Sequence, residues 1–185
     1  MQGRVCPWWL GYFLASPLRR WMEDPARLLA PYVRDGMTVL EPGPGMGFFT
    51  LELARLVGPA GRVVAPEIQP RMIAGLKRRA ARAGLADRVE TRRVPPDTLG
   101  VDDMAARVDF ALVYAVVHEM PDPAHFFKET AATLKPGGRL LLAEPSGHVK
   151  TAEFEAELAL AEQAGLKVAE RPAIRRSHAA LLVKS

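Results

Sequence analysis

From residue 37 onward, short apolar runs alternate with stretches whose apolar positions return every three to four residues. Thr38-Val39-Leu40, residues 62–66, 89–94 and 108–114, and the run ending Leu140-Leu141-Leu142-Ala143-Glu144 have the length and β-branched or apolar content of strands. Residues 48–57 and 151–164 have helical spacing, and Met72, Ile73, Leu76, Ala80 and Ala83 mark another helix between them. A further helix is predicted over 123–134, with Asp122 as N-cap and Pro123 at its first position, a favoured pairing. Leu134-Lys135-Pro136-Gly137-Gly138 then reads as a helix stop ahead of the fifth strand, and Gly165 ends the last helix. Two extended runs close the chain, one around Val168 and one over 178–183. The link between them is too short for a parallel crossover, which needs a dozen or more residues, so they form an antiparallel pair. Strands alternating with helices predict a mainly parallel sheet with helices on both faces.

The first 36 residues break this rhythm. Residues 5–18 are strongly apolar and follow Arg4, but Pro7, Trp8, Trp9 and Tyr12 are poor components of a signal core, and no A-x-A site follows. The run is also too short to span a bilayer as a helix. The expectation is a helical and aromatic cap over 1–36, followed by one domain over 37–185. Asp24-Pro25 starts a helix there that carries Leu28, Leu29, Tyr32 and Val33. Trp8, Trp9, Tyr12, Phe13 and Trp21 have three uses open to them: covering the core, lining a substrate pocket, or forming a homodimer contact.

Composition narrows the class. At 185 residues, 49% apolar and 25% charged, the chain is an ordinary globular domain. Its net charge of +4 is mild, and Arg71, Lys77, Arg78, Arg79 and Arg82 share the side of their helix opposite the apolar stripe. A solvated face is the default for such a pattern, so no nucleic-acid partner is expected. The single cysteine, Cys6, excludes an intramolecular disulfide and a multi-thiolate metal site, which suits a cytoplasmic protein and leaves no metal site to expect.

The segment richest in chemistry is Leu40-Glu41-Pro42-Gly43-Pro44-Gly45-Met46-Gly47-Phe48. Strand, glycine-rich turn and helix bring backbone close to a ligand at a strand's carboxyl end. A dinucleotide fingerprint, G-x-G-x-x-G/A, needs a small third residue, and here that place is Phe48. A second acid, Glu67, ends the next strand 20 positions after Gly47, counting 67 − 47. A carboxylate there can accept from both hydroxyls of a ribose, in an NAD enzyme as in other nucleoside binders.

An acid followed by G-x-G-x-G resembles the first motif of the class I S-adenosylmethionine-dependent methyltransferases, with Glu41 where Asp is commoner. Glu67-Ile68, "VHEMPD" from Val117 to Asp122, and "LKPGG" from Leu134 to Gly138 are similar to later landmarks of that family, in the same order. The likeness is nearest to its small-molecule branch, which includes quinone-biosynthesis enzymes. The resemblance implies a three-layer Rossmann-like α/β sandwich, with a seven-stranded, mostly parallel sheet and one antiparallel C-terminal strand. It implies S-adenosyl-L-methionine as cofactor, held by Glu41, Gly43, Gly45, Gly47, Glu67, Ile68 and Tyr114, with Asp97 the candidate for the adenine amine and backbone and apolar contacts the alternative.

A small-molecule acceptor, methylated at oxygen or carbon, is the expected substrate. RNA or protein acceptors, a nicotinamide-dependent oxidoreductase and a non-catalytic binding domain are the alternatives. His118, just beyond the fourth strand and with an ordinary pKa near neutrality, is the candidate general base; its other use is to hydrogen-bond loop backbone. Glu119, next door, either orients it or points to solvent, while His125, His148 and His178 have no comparable setting.

Overall fold

The computed structural model describes residues 24–185. The expected cap lies outside the described residues, apart from 24–36, and so do its aromatic pocket, core and dimer surfaces. Within 24–36, Asp24 Oδ1 accepts from the N–H groups of Ala26 and Arg27 and starts α1 (Pro25–Leu29). This helix is shorter than expected: Pro31 follows at once, and Tyr32 and Val33 fall beyond its end. A proline cannot donate to the helical ladder, and its ring collides with the carbonyl four residues back. Leu29 and Val33 are nonetheless buried.

Seven strands form one sheet in the order β3-β2-β1-β4-β5-β7-β6. They are β1 (Thr38–Leu40), β2 (Arg62–Glu67), β3 (Val89–Arg93), β4 (Val108–Tyr114), β5 (Leu134–Pro145), β6 (Leu166–Glu170) and β7 (Ser177–Lys184). β1 pairs with β2, β2 with β3 and β4 with β5 in parallel, while β7 runs antiparallel to both β5 and β6. The expected Rossmann-like α/β class, with β7 as the antiparallel strand, is therefore present. Among the described residues no helix is long and apolar enough to cross a membrane.

The described chain divides into two compact units, 24–94 and 95–185. In the first, α2 (Thr50–Leu56) packs on β2, and α3 (Pro70–Arg82) packs on β2 and β3. α2 starts two residues later than the sequence pattern suggested, because Phe48 and Phe49 still belong to the glycine turn. α3 lays Met72, Leu76 and Ala80 inward, and Arg71, Lys77, Arg78 and Arg82 are exposed, as the spacing predicted, but Ala83 is exposed and Arg79 is half-buried. In the second unit, α4 (Pro123–Thr133) packs on α5 (Thr151–Gln163), and α5 packs on β6. Residues 110–113 of β4 and 140–144 of β5 are continuously buried, the signature of strands covered on both faces.

The junction between α4 and β5 corrects the sequence reading. Leu134 is already paired with Val108, so "LKPGG" lies within the strand instead of preceding it. Phe110 pairs next with Arg139, so residues 135–138 stand opposite Asp109 alone, and Gly137 adopts φ +72° in this excursion. Lys135 Nζ donates to Asp109 Oδ1 at 2.5 Å across it.

A helix that runs straight into a strand must find partners for its last carbonyls. Thr130 O accepts from Thr133 Oγ1 at 2.7 Å, Ala132 O from Ala106 N at 3.0 Å and Thr133 O from Arg107 N at 2.9 Å. Lys184 on β7 donates to Ala131 O at 2.7 Å and to Leu134 O at 2.9 Å, placing a cation where the helix dipole favours one. Lys184→Met keeps the apolar stem and removes both bonds. Urea unfolding should show a loss of about 1–3 kcal/mol, the usual cost of charge-assisted hydrogen bonds; an unchanged midpoint would mean water replaces the ammonium at no cost.

Candidate cofactor and acceptor residues

The turn after β1 is shaped by its three alternate glycines. Gly43, Gly45 and Gly47 have φ of +64°, +55° and +83°, in the left-handed region where a Cβ is penalised. At Gly47 an added methyl would collide with Leu76 of α3, and at Gly75 one would meet Met46 Cγ at 3.0 Å, so turn and helix are closely fitted. Arg79 on the same helix donates to Met46 O at 2.5 Å and fastens the turn from outside. At Gly45, by contrast, an added Cβ would meet no atom of the described residues within 4 Å, so they leave that face of the turn uncovered.

The glycine donors of this turn are spent within the protein. Gly43 N donates to Pro66 O at 3.0 Å, Gly47 N to Pro44 O at 2.9 Å and Gly45 N to Glu67 Oε2 at 3.2 Å. Pro42 and Pro44 have no N–H to offer. A phosphate-binding turn does the opposite and points free N–H groups at its anion.

What this turn presents is a pair of acids, Glu41 and Glu67. Glu67, at the end of β2, accepts from Gly45 N and, through Oε1, from Gln69 N at 2.9 Å. Glu41, 4% exposed, has an Oε2 with no hydrogen-bond partner among the described residues. Burial pushes its carboxyl up from 4.5 to about 8; the Thr50 hydroxyl pulls the other way without reaching hydrogen-bonding geometry, and the Glu67 charge adds to the rise. An orphaned acid beneath an open turn fits a ligand that brings a cationic group. Ile68, half-buried, follows directly on Glu67.

The second unit carries the other expected residues. Tyr114 is half-buried at the end of β4, and Asp97 is exposed beside a shallow hollow that Met120, Pro121, His125 and Phe126 also line. Directly after Tyr114, Ala115 takes φ +56°, an uncommon conformation for a residue with a Cβ, and its N–H bonds Ala143 O at 2.8 Å. The turn that follows is held by one side chain that sequence reasoning passed over. Glu144, at the end of β5 and 0% exposed, accepts through Oε1 from Val116 N at 3.1 Å and Val117 N at 2.8 Å. Its Oε2 lies 2.5 Å from His118 Nδ1.

The partner that orients the imidazole is thus Glu144 and not the adjacent Glu119. The bond to Glu144 raises the His118 pKa, burial opposes it, and the charges of Glu144, Glu119 and Glu157 add to the rise. His148 also belongs to this setting, its ring stacked 6.1 Å from that of His118 at 22°. Glu157 on α5 is buried, with no partner for Oε2 among the described residues. Burial raises its carboxyl to about 8, helped by Glu144 and Glu153 and opposed by His118. His125 is exposed and 3.5 Å from Glu129. The described residues contain no group of three or more His, Cys, Asp or Glu side chains placed to hold a metal ion.

Glu41 makes stability depend on pH. Below pH 4.5 it is protonated in both the folded and unfolded chain; between 4.5 and about 8 only the unfolded chain releases the proton. Folding should therefore weaken by about 1.4 kcal/mol per pH unit across that window and level off above it. Glu157 and His118 titrate in both wild type and Glu41→Gln, so the difference between the two proteins isolates Glu41. Urea titrations at several pH values should show the flatter profile in Glu41→Gln; parallel profiles would contradict the buried, unpartnered acid.

Residues 33–174 match the family described as a methyltransferase domain. The protein-L-isoaspartate O-methyltransferase of Triticum aestivum is 35% identical over 119 residues, which cover 62% of this chain and 49% of that protein. The ubiquinone/menaquinone biosynthesis C-methyltransferase of Hahella chejuensis is 30% identical over 112 residues, 60% of this chain and 44% of that one. The chain thus spans less than half the length of these two relatives. A crystal structure of a SAM-dependent methyltransferase from Aquifex aeolicus superposes with a TM-score of 0.86, covering 98% of this chain and 100% of that one at 24% identity, a likeness of fold. With the acid and three-glycine turn, the sheet order and the match over most of its length in agreement, the chain belongs to the class I S-adenosylmethionine-dependent methyltransferases.

Proposed function

We propose that this protein transfers a methyl group from S-adenosylmethionine to a small-molecule acceptor at an oxygen or carbon that must lose a proton. The observation that carries the reading is the electrostatic character of the glycine turn: its glycine donors are committed internally, while the buried Glu41 Oε2 has no partner among the described residues. A cofactor with an ammonium and a sulfonium suits such a site, and a pyrophosphate does not. This argues against the nicotinamide alternative on physical grounds.

S-adenosylmethionine supplies a methyl carbon on a sulfonium, so that a nucleophile in line can take the carbon while the bonding pair stays on sulfur. The protein's part is positioning and exclusion of water, worth about 7–11 kcal/mol when alignment is good. Gly45 leaves room over the turn, Glu41 answers the ligand's positive charge, and Glu67 accepts from the ribose hydroxyls once it gives up or shares Gly45 N–H. Ile68 and Tyr114 supply apolar contact to the nucleoside, and Asp97 is assigned to the adenine amine. His118 takes the acceptor's proton.

Protein acceptors are the second reading, favoured by the likeness to a protein-L-isoaspartate O-methyltransferase.

Calorimetry with S-adenosylhomocysteine should give saturable binding, and NADH should give none. Glu67→Gln should weaken that binding about 10- to 150-fold, the equivalent of about 1.5–3 kcal/mol for hydrogen bonds to a charged acceptor. No heat from S-adenosylhomocysteine, or heat from NADH in its place, would overturn the assignment.

A further inference from the structure

We infer that Glu144 is a positioning residue: from the end of β5 it holds the His118 ring with a proton on Nδ1 and turns the Nε2 lone pair outward to receive the acceptor's proton. This rests on the reading of His118 as the base, and it adds the group that makes His118 competent.

The geometry is specific. Glu144 Oε1 is occupied by the Val116 and Val117 N–H groups, so the carboxyl plane is fixed by the turn it supports. Only Oε2 remains, and it faces Nδ1 at 2.5 Å. A carboxylate accepts and does not donate, so Nδ1 must carry the proton of the neutral imidazole, leaving Nε2 as the acceptor. The His118 side chain is 26% exposed while Glu144 is fully buried, so the ring has one end in the protein and, among the described residues, no hydrogen-bond partner at the other.

Four groups surround the imidazole: Glu144 from β5, Glu119 from its own turn, Glu157 from α5 and the stacked His148 from the β5–α5 connection. Glu144 and Glu119 favour the imidazolium that proton transfer creates, and Glu157 adds to this once it ionises. In the step itself, the acceptor's X–H proton passes to Nε2, the freed electron pair forms the bond to the methyl carbon, and the departing thioether keeps the C–S pair. The resulting imidazolium then returns the Nε2 proton to water.

A purely structural staple would need only the bonds to Val116 and Val117. Glu144→Gln separates the two roles, because its amide oxygen can still accept from both N–H groups while its NH₂ can only donate toward Nδ1. The ring then has to take the opposite tautomer, with its proton on Nε2. An acid-to-amide change beside a serine-protease histidine acts in this way, leaving the geometry intact with the wrong tautomer.

The test uses the full chain labelled with ¹⁵N. Imidazole long-range correlation spectra are recorded over a pH series, and His118 is assigned among the four histidines by its loss in His118→Asn. Wild type should show the Nδ1–H tautomer and a titration midpoint above the ordinary histidine value. Glu144→Gln should show Nε2–H and a lower midpoint. An Nε2–H tautomer in wild type, or a variant with tautomer and midpoint unchanged, overturns the assignment. If Glu144→Gln does not fold, the wild-type tautomer alone decides. S-adenosylhomocysteine calorimetry on wild type is read separately. Absent binding with an Nδ1–H ring defeats the methyl-transfer reading and leaves Glu144 as the ring's anchor; binding with an Nε2–H ring defeats only the anchor.

Discussion

Burying a carboxylate at the end of a strand is costly unless its oxygens are answered, and this constraint runs through the whole structure. Three parallel strands of the sheet, β1, β2 and β5, end within one residue of a buried glutamate: Glu41, Glu67 and Glu144. Each meets the cost differently. Glu67 takes two backbone N–H groups, from Gly45 and Gln69. Glu144 takes two more, from Val116 and Val117, and the His118 ring besides. Glu41 alone has an oxygen with no partner among the described residues, and its proton is retained to about pH 8 as a consequence.

That difference sorts the three acids by role. Glu144 is satisfied internally and therefore shapes its surroundings, bracing a turn that begins with the left-handed Ala115. Glu67 is satisfied by bonds that a ligand could share, since one of its donors is the N–H of Gly45 at the open face of the glycine turn. Glu41 is the acid whose Oε2 the described residues leave unanswered. Local strain and unmet polar groups concentrate where a protein meets its ligands because the rest of the fold can hold them in place. Here that support includes the close fit of α3 against the turn and the Arg79 bond to Met46.

Family membership constrains the donor more closely than the acceptor. The two relatives described above act, by their names, on a protein and on a quinone precursor pathway, with similar identity to this chain. The chemistry of the donor is the same for every acceptor, so one donor can serve acceptors as different as these.

The sequence by itself determined the elements and the donor class. Alternate glycines demand positive φ, proline and aspartate mark helix starts, and unbroken apolar runs mark strands buried on both faces; all are properties of a few neighbouring residues. The same locality explains the misjudged edges. α1 stops early at Pro31, and β5 begins at Leu134 because pairing with Val108 outweighs the helix-stop character of Pro136-Gly137-Gly138. Only the tertiary structure decided which acid serves His118. Glu119 is adjacent in the chain, but Glu144 is 26 residues away and arrives through the pairing of β5 with β4. The stacking of His148 and the burial of Glu157 depend on the same long-range packing. Hydrogen bonding and desolvation depend on distance in space, and no spacing along the chain records them.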